Sequence, residues 1–165
     1  MQFRAYIALL SIASCVFGCS RGNDRPQNLP DLFPVNIRVL QQGEPVSDAF
    51  VRLIPVDSAM PWSCGATTTA DGHAKIMTVG RFEGAPQGEY KVLISKLEMT
   101  PTIQADLSDL KSQKVSTSTA GFDLIEPKYS DIKSTPLTAN VTSNGLSCEF
   151  DVEQAVRLKR KGPPR

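Results

Sequence analysis

The chain has 165 residues, 41% of them hydrophobic and 21% charged, a size that suggests one domain with appendages and a modest core. Twelve prolines and eleven glycines argue against long helices, and a formal net charge of +1 supplies no global attraction to nucleic acid. That average hides an asymmetry, because Arg157 to Arg165 hold five cations and no acid while the remainder is correspondingly acidic.

Met1 to Arg4 carries one positive charge, and Ala5 to Val16 is apolar apart from Ser11 and Ser14. This run is about a dozen residues long, against the ~20 that a bilayer span requires, so it reads as the hydrophobic region of a signal peptide. It ends in Val16-Phe17-Gly18-Cys19. A small residue before a cysteine, after a short apolar run, resembles the lipobox of bacterial lipoproteins, with Phe17 bulkier than is usual there. The resemblance implies cleavage before Cys19, diacylglycerol on its thiol, an acyl chain on its new amine, and a membrane-anchored protein of the bacterial cell envelope facing the periplasm or exterior. Each buried methylene contributes about 0.8 kcal/mol, so two or more chains hold stably where one holds marginally. The other reading is an ordinary secretory signal cut elsewhere, with Cys19 an unmodified or paired thiol. Loss of residues 1–18 removes Arg4 and no acid, which leaves a mature formal charge of zero.

Residues 19–34 are polar, with Gly22, Pro26, Pro30 and Pro34, and are expected to be a disordered, flexible tether. Val35-Asn36-Ile37-Arg38-Val39 alternates with period two, as a half-buried strand does. A turn at Gln42 to Pro45 leads to a second strand over Ala49 to Val56, which Pro55 ends or confines to an edge. Asp57 to Ser63 reads as a loop. Gly65 to Thr69 and Ala74 to Val79 flank Asp71-Gly72, a two-residue hairpin signal that opposes Ala70 to His73 and puts Ala74, Ile76 and Thr78 on one face. Tyr90 to Lys96 is the clearest strand, with Tyr90, Val92 and Ile94 facing one way. Residues 97–123 are rich in Ser, Thr, Gln and Asp and are expected to be a polar, partly mobile insertion, with weak helical periodicity over Ala105 to Lys111. Leu137 to Val141 and Cys148 to Val152 alternate again around Asn144-Gly145, which reads as a second hairpin with Cys148, Phe150 and Val152 inward. Residues 154–165 are expected to be a basic disordered tail. Six or seven short strands separated by turns argue for an all-β chain with a single β-sandwich over residues 35–153.

Cys15 leaves with the signal and Cys19 takes the lipid, so Cys64 and Cys148 remain. They either pair, closing a loop of more than eighty residues for about 4 kcal/mol of stability, or stand as separate buried thiols. Strict alternation from the Asp71-Gly72 hairpin points Cys64 outward, against pairing. The same register holds Cys64 and His73 near 20 Å apart at 3.3 Å per residue, which excludes a nucleophile–base dyad. Asp71 reads as a turn former, and with one histidine and no Gly-x-Ser-x-Gly elbow no triad is expected. The cysteine spacing matches no zinc pattern, and Asp106, Asp109, Asp123 and Asp131 are too scattered for a calcium loop, so no metal or cofactor is expected. Trp62, in a proline-rich loop, serves either as a hinge plug or as a contact for sugar or peptide. The basic tail either touches anionic headgroups or cell-wall polymers, or only solubilises.

Three stretches carry a family resemblance: Gly43 to Val51 (GEPVSDAFV), Thr67 to Ala74 (TTTADGHA) and Gly88 to Val92 (GEYKV). Their order resembles carboxypeptidase regulatory-like domains, which have a transthyretin-like sandwich. Ile125 to Asp131 with Thr135 to Val141 is similar to small bacterial lipoproteins carrying this domain alone. The resemblance implies a fold of about seven strands, transthyretin-like or immunoglobulin-like, far more than an activity. Related hydrolases use several histidines and a characteristic C-terminal motif, which this chain lacks. The Lys–Asn isopeptide staple of related adhesin repeats is missing its residues: the matching strands Val35–Val39 and Cys148–Val152 hold Arg38 but no lysine. The expected role is a non-enzymatic structural or protein-interaction module, anchored to the membrane through Cys19 and meeting an envelope protein or polysaccharide rather than nucleic acid. A carbohydrate- or peptide-binding module using Trp62 is the alternative, and an envelope hydrolase the third reading.

Overall fold

The computed structural model describes residues 25–104 and 116–160, with the backbone alone for 101–104 and 116–120. The signal region, Cys19 and the weakly helical stretch Ala105 to Lys111 lie outside the described residues. The chain is all-β. Its strands are β1 (Leu32–Phe33), β2 (Val35–Gln41), β3 (Glu44–Pro45), β4 (Phe50–Pro55), β5 (Cys64–Thr67), β6 (His73–Lys75), β7 (Met77–Thr78) and β8 (Phe82–Glu83). They continue with β9 (Ala85–Pro86), β10 (Gly88–Ser95), β11 (Leu97–Gln104), β12 (Ser116–Asp123), β13 (Thr138–Val141), β14 (Leu146–Asp151) and β15 (Leu158–Lys159).

One sheet runs β13-β10-β4-β5-β7-β8. The second is centred on β2, with β14 parallel on one edge and β6 and β3 antiparallel on the other. Period-two alternation sends Ile37, Val39 and Ala74 from the second sheet against Val51, Leu53, Val92, Ile94 and Val141 from the first, all fully buried. Tyr90 lies in the same core, and its hydroxyl donates to Pro86 O at 2.7 Å because a buried phenol requires a partner. Thr68 is the polar counterpart: its Oγ1 donates to Val46 O at 2.6 Å and accepts from the Ala49 N–H at 2.8 Å. Thr68→Val leaves both backbone groups buried without a partner and is expected to lower unfolding free energy by about 2 kcal/mol in chemical denaturation, with Thr68→Ser recovering most of it.

Two turns differ from expectation. At Asp71-Gly72 the Thr69 N–H donates to His73 O and the Gly72 N–H to Thr69 O, so three residues make the turn rather than two. The register shifts by one, Cys64 faces Thr78 instead of Val79, and the slip turns Cys64 inward. The return segment is also divided between the sheets, with β6 on β2 and β7 on β5. At Asn144-Gly145 a turn forms, with the Gly145 N–H donating to Thr142 O, but no hairpin ladder follows. β13 joins β10, while the Leu146 N–H donates to Pro34 O and starts β14 alongside β2. Alternation placed both inner faces correctly; it carries no information about which sheet each strand joins.

Three segments expected to lack order are structured where described. Residues 25–34 are not a free tether: Leu29 is buried and β1 pairs with β9, because Leu29, Leu32 and Phe33 give this polar stretch enough apolar surface to dock. The insertion 97–123 is a long hairpin, β11 against β12 from Leu97↔Asp123 to Gln104↔Ser116. The tail starting at 154 adds a third strand, β15, to β12. Opposite charges fasten it: Arg157 Nε lies 3.2 Å from Glu98 Oε2 and Arg160 Nε 3.2 Å from Asp123 Oδ1, with the Arg157 guanidinium 4.0 Å over the Phe122 ring.

Candidate functional site

The residues singled out in the sequence do not converge. Cys64 is 1% exposed, its Sγ 3.3 Å from Thr78 Oγ1, and burial pushes its thiol up, away from the thiolate a nucleophile needs. Cys148 packs half-buried against the core from β14, and burial raises its thiol as well. Both cysteines are free thiols, so the possible disulfide between them is not formed. Cys64 belongs to the first sheet and Cys148 to the second. Trp62 is half-buried in the β4–β5 loop. Asp71 accepts the Thr69 hydroxyl, which holds its carboxyl below the usual range, as a turn-forming side chain does. Among the described residues no three His, Cys, Asp or Glu side chains converge as metal ligands would.

What the fold does assemble is a polar outer face on the second sheet. The register sets Ser147, Asn36 and Lys75 in one cross-strand row and Glu149, Arg38 and His73 in the next. Arg38 Nη1 pairs with Glu149 Oε2 at 3.1 Å. Two hollows open on this face, of about 390 Å³ between Asn144 and Glu83 and about 540 Å³ beside Thr69, Asp71 and His73. They meet at Asn36 and Lys75, and Trp62 lines neither. Single residues such as Asn36 and Lys75 read as ordinary outward positions, and only strand pairing unites them.

The ends of β2 mark two poles. At one, Pro34 O holds Leu146 and the chain arrives from residue 25. At the other, Gln41 Nε2 donates at 3.4 Å to Leu124 O and Gln154 O, below the β11–β12–β15 sheet. That sheet exposes Leu97 (41%), Met99 (62%) and Leu158 (46%) beside Arg160. The Asp151 carboxylate closes the same pole, accepting from the N–H groups of Gln42 (3.0 Å), Gly43 (2.9 Å) and Glu153 (2.8 Å). Gln42 and Glu153 both have left-handed backbones, with φ of +53° and +57°. The Gly43 N–H, with those of Glu153 and Gln42, holds Asp151 below the usual carboxylate range. A carboxyl lowered by folding contributes stability above its unfolded value near 4, and that contribution disappears as pH falls through the lower folded value. Asp151→Asn is expected to cost about 1 kcal/mol at neutral pH, solvent screening being considerable, and to flatten stability against pH below about pH 4 in urea titrations.

Comparison with protein families, characterised proteins and solved structures returns no match, so the residues and their geometry carry the functional reading.

Proposed function

We propose that this chain is a lipid-anchored protein of the bacterial cell envelope whose β-sandwich is a non-enzymatic interaction module, similar to carboxypeptidase regulatory-like domains. The supporting observation is its polarity. The chain enters at the Pro34 pole, and the apolar and basic surface of β11–β12–β15 stands at the Gln41 pole. Between Cys19 and Arg25 at most about 20 Å of extended chain is available, which keeps the first pole near the membrane and turns the hairpin outward. Exposed apolar side chains flanked by arginine and lysine suit a protein partner with an acidic rim. Mass spectrometry of the mature N-terminus with membrane fractionation tests the anchor; an unmodified soluble protein that starts elsewhere than Cys19 overturns it. A photo-crosslinker at Met99 should label a partner that one at exposed Ser143, in the turn at the Pro34 pole, does not, and equal labelling from both positions counts against the hairpin as the contact surface.

A further inference from the structure

The first sheet carries a basic hollow on its outer face, next to the hairpin. β4 presents Phe50 and Arg52 outward and β10 presents Leu93 and Ser95, with Arg52 beside Leu93 and Phe50 beside Ser95 in the register. With Ser130 and Arg160 these side chains line a hollow of about 190 Å³. Leu93 is buried and gives it an apolar floor, while Phe50 is 47% exposed. Arg160 joins this hollow to the third sheet. Across β11, β12 and β15, Leu97, Asp123 and Leu158 form one row, and Met99, Gly121 and Arg160 the next. A Cβ on Gly121 would stand 3.4 Å from Met99 Sδ, 3.5 Å from Leu97 Cδ1 and 4.0 Å from Arg160 Cβ, so the missing side chain lets all three gather on one face. The apolar surface of Leu97 and Met99 therefore runs through Arg160 into the hollow. We infer that the hollow is the anchor of this surface and takes the side-chain carboxylate of an aspartate or glutamate that apolar residues flank on the partner protein, an assignment that rests on the hairpin reading above.

Size sets the unit of recognition. About 190 Å³ is below the ~300 Å³ at which small-molecule sites begin, and it suits one side chain. Charge sets the sign, because both charged residues lining the hollow are arginines. Arg52 is exposed and makes no ion pair among the described residues, and its cross-strand neighbours Gly65 and Leu93 hold no charge. Arg160 meets Asp123 through Nε at 3.2 Å, which leaves its two Nη groups to donate elsewhere. A planar guanidinium offers paired N–H donors that match the two oxygens of a carboxylate, and Ser95 and Ser130 add hydroxyl donors beside them. Phe50 and Met99 supply the apolar contacts, and aromatic residues, methionine and arginine are the types that protein interfaces concentrate. A nucleic acid suits the hollow less well, since two arginines on a chain of net charge +1 do not provide the succession of phosphate contacts on which such binding depends.

Amide chemical-shift titration of the mature protein with acetyl-Ala-Leu-Glu-Leu-Ala-amide, and with the same peptide carrying Gln in place of Glu, tests the assignment. The glutamate peptide is expected to bind about fivefold more tightly, the upper end for a partly exposed ion pair, and to shift the Ser95 and Ser130 amides. Added salt should weaken the glutamate peptide and spare the glutamine one. Arg52→Gln should keep its melting temperature and lose about fivefold in affinity for the glutamate peptide. Arg81→Gln, which removes the same charge from the exposed β7–β8 turn, should bind as before. The inference is overturned by equal binding of the two peptides, by full affinity in Arg52→Gln, or by inorganic phosphate binding as tightly as the glutamate peptide, which would make the hollow a general oxyanion site. Its failure is separable from that of the hairpin reading. Equal peptide binding while a crosslinker at Met99 still labels a partner excludes the hollow and leaves the contact surface. Preference for glutamate while Met99 labels nothing leaves the hollow its assignment and removes that of the hairpin.

Discussion

Cys19→Ser is expected to take the acylated, processed form from all of the protein to none. A serine oxygen at position 19 cannot supply the thioether that joins diacylglycerol, and without that adduct cleavage before residue 19 does not follow. Intact mass should show no acyl addition and no chain beginning at residue 19. The magnitude is large because acyl chains, at about 0.8 kcal/mol per buried methylene, are the whole of the proposed membrane affinity. Unchanged processing and envelope attachment in this variant would remove the basis for the proposed location.

Gly72→Ala is expected to cost about 3 kcal/mol. Gly72 has φ of +80°, which a side chain tolerates at a cost of about 1–3 kcal/mol. A Cβ there would also stand 2.6 Å from Val39 O and 3.2 Å from Pro45 Cβ, and backbone cannot move aside as a flexible side chain does. Gly72 O accepts from the Val39 N–H at 2.9 Å, so displacing the turn also pulls on β2 beside the core residues Ile37 and Val39. Chemical denaturation checks the value. Gly43→Ala makes a useful control, since it has a similar φ of +82° but nothing within 4 Å of its Cβ, and should cost only the conformational part.

Much of the fold was legible in residues that alternate. Val35 to Val39, Tyr90 to Ile94 and Cys148 to Val152 declared their inner faces because each strand has one wet side and one dry side. Pairing was not legible, because period two states which side is inside and is silent about neighbours. The Asn144-Gly145 turn therefore looked like a hairpin although it carries the chain between sheets. The β11–β12 hairpin was not legible because half of its strand residues are Ser, Thr, Gln or Asp. The overlooked signal was β-branching: Thr100, Thr102, Ile103, Thr117 and Thr119 fit a pleated surface better than a loop. Ion pairs to Glu98 and Asp123 ordered the basic segment, and sequence separation hid them. The polar groove had no signature at all, since Asn36, Lys75 and Ser147 are unremarkable until β2, β6 and β14 lie side by side.

The parallel pairing of β14 with β2 decides how the domain would carry a load. Tension between a lipid at the N-terminus and a partner on the hairpin would enter at Pro34 and leave near Gln41, along the axis of β2. The rungs joining Val35 to Leu146 and onward to Leu40 with Asp151 lie across that axis, as do those joining β2 to β6. They would have to rupture together in shear instead of peeling one by one, so resistance to pulling would follow the rate of that collective failure rather than the equilibrium free energy.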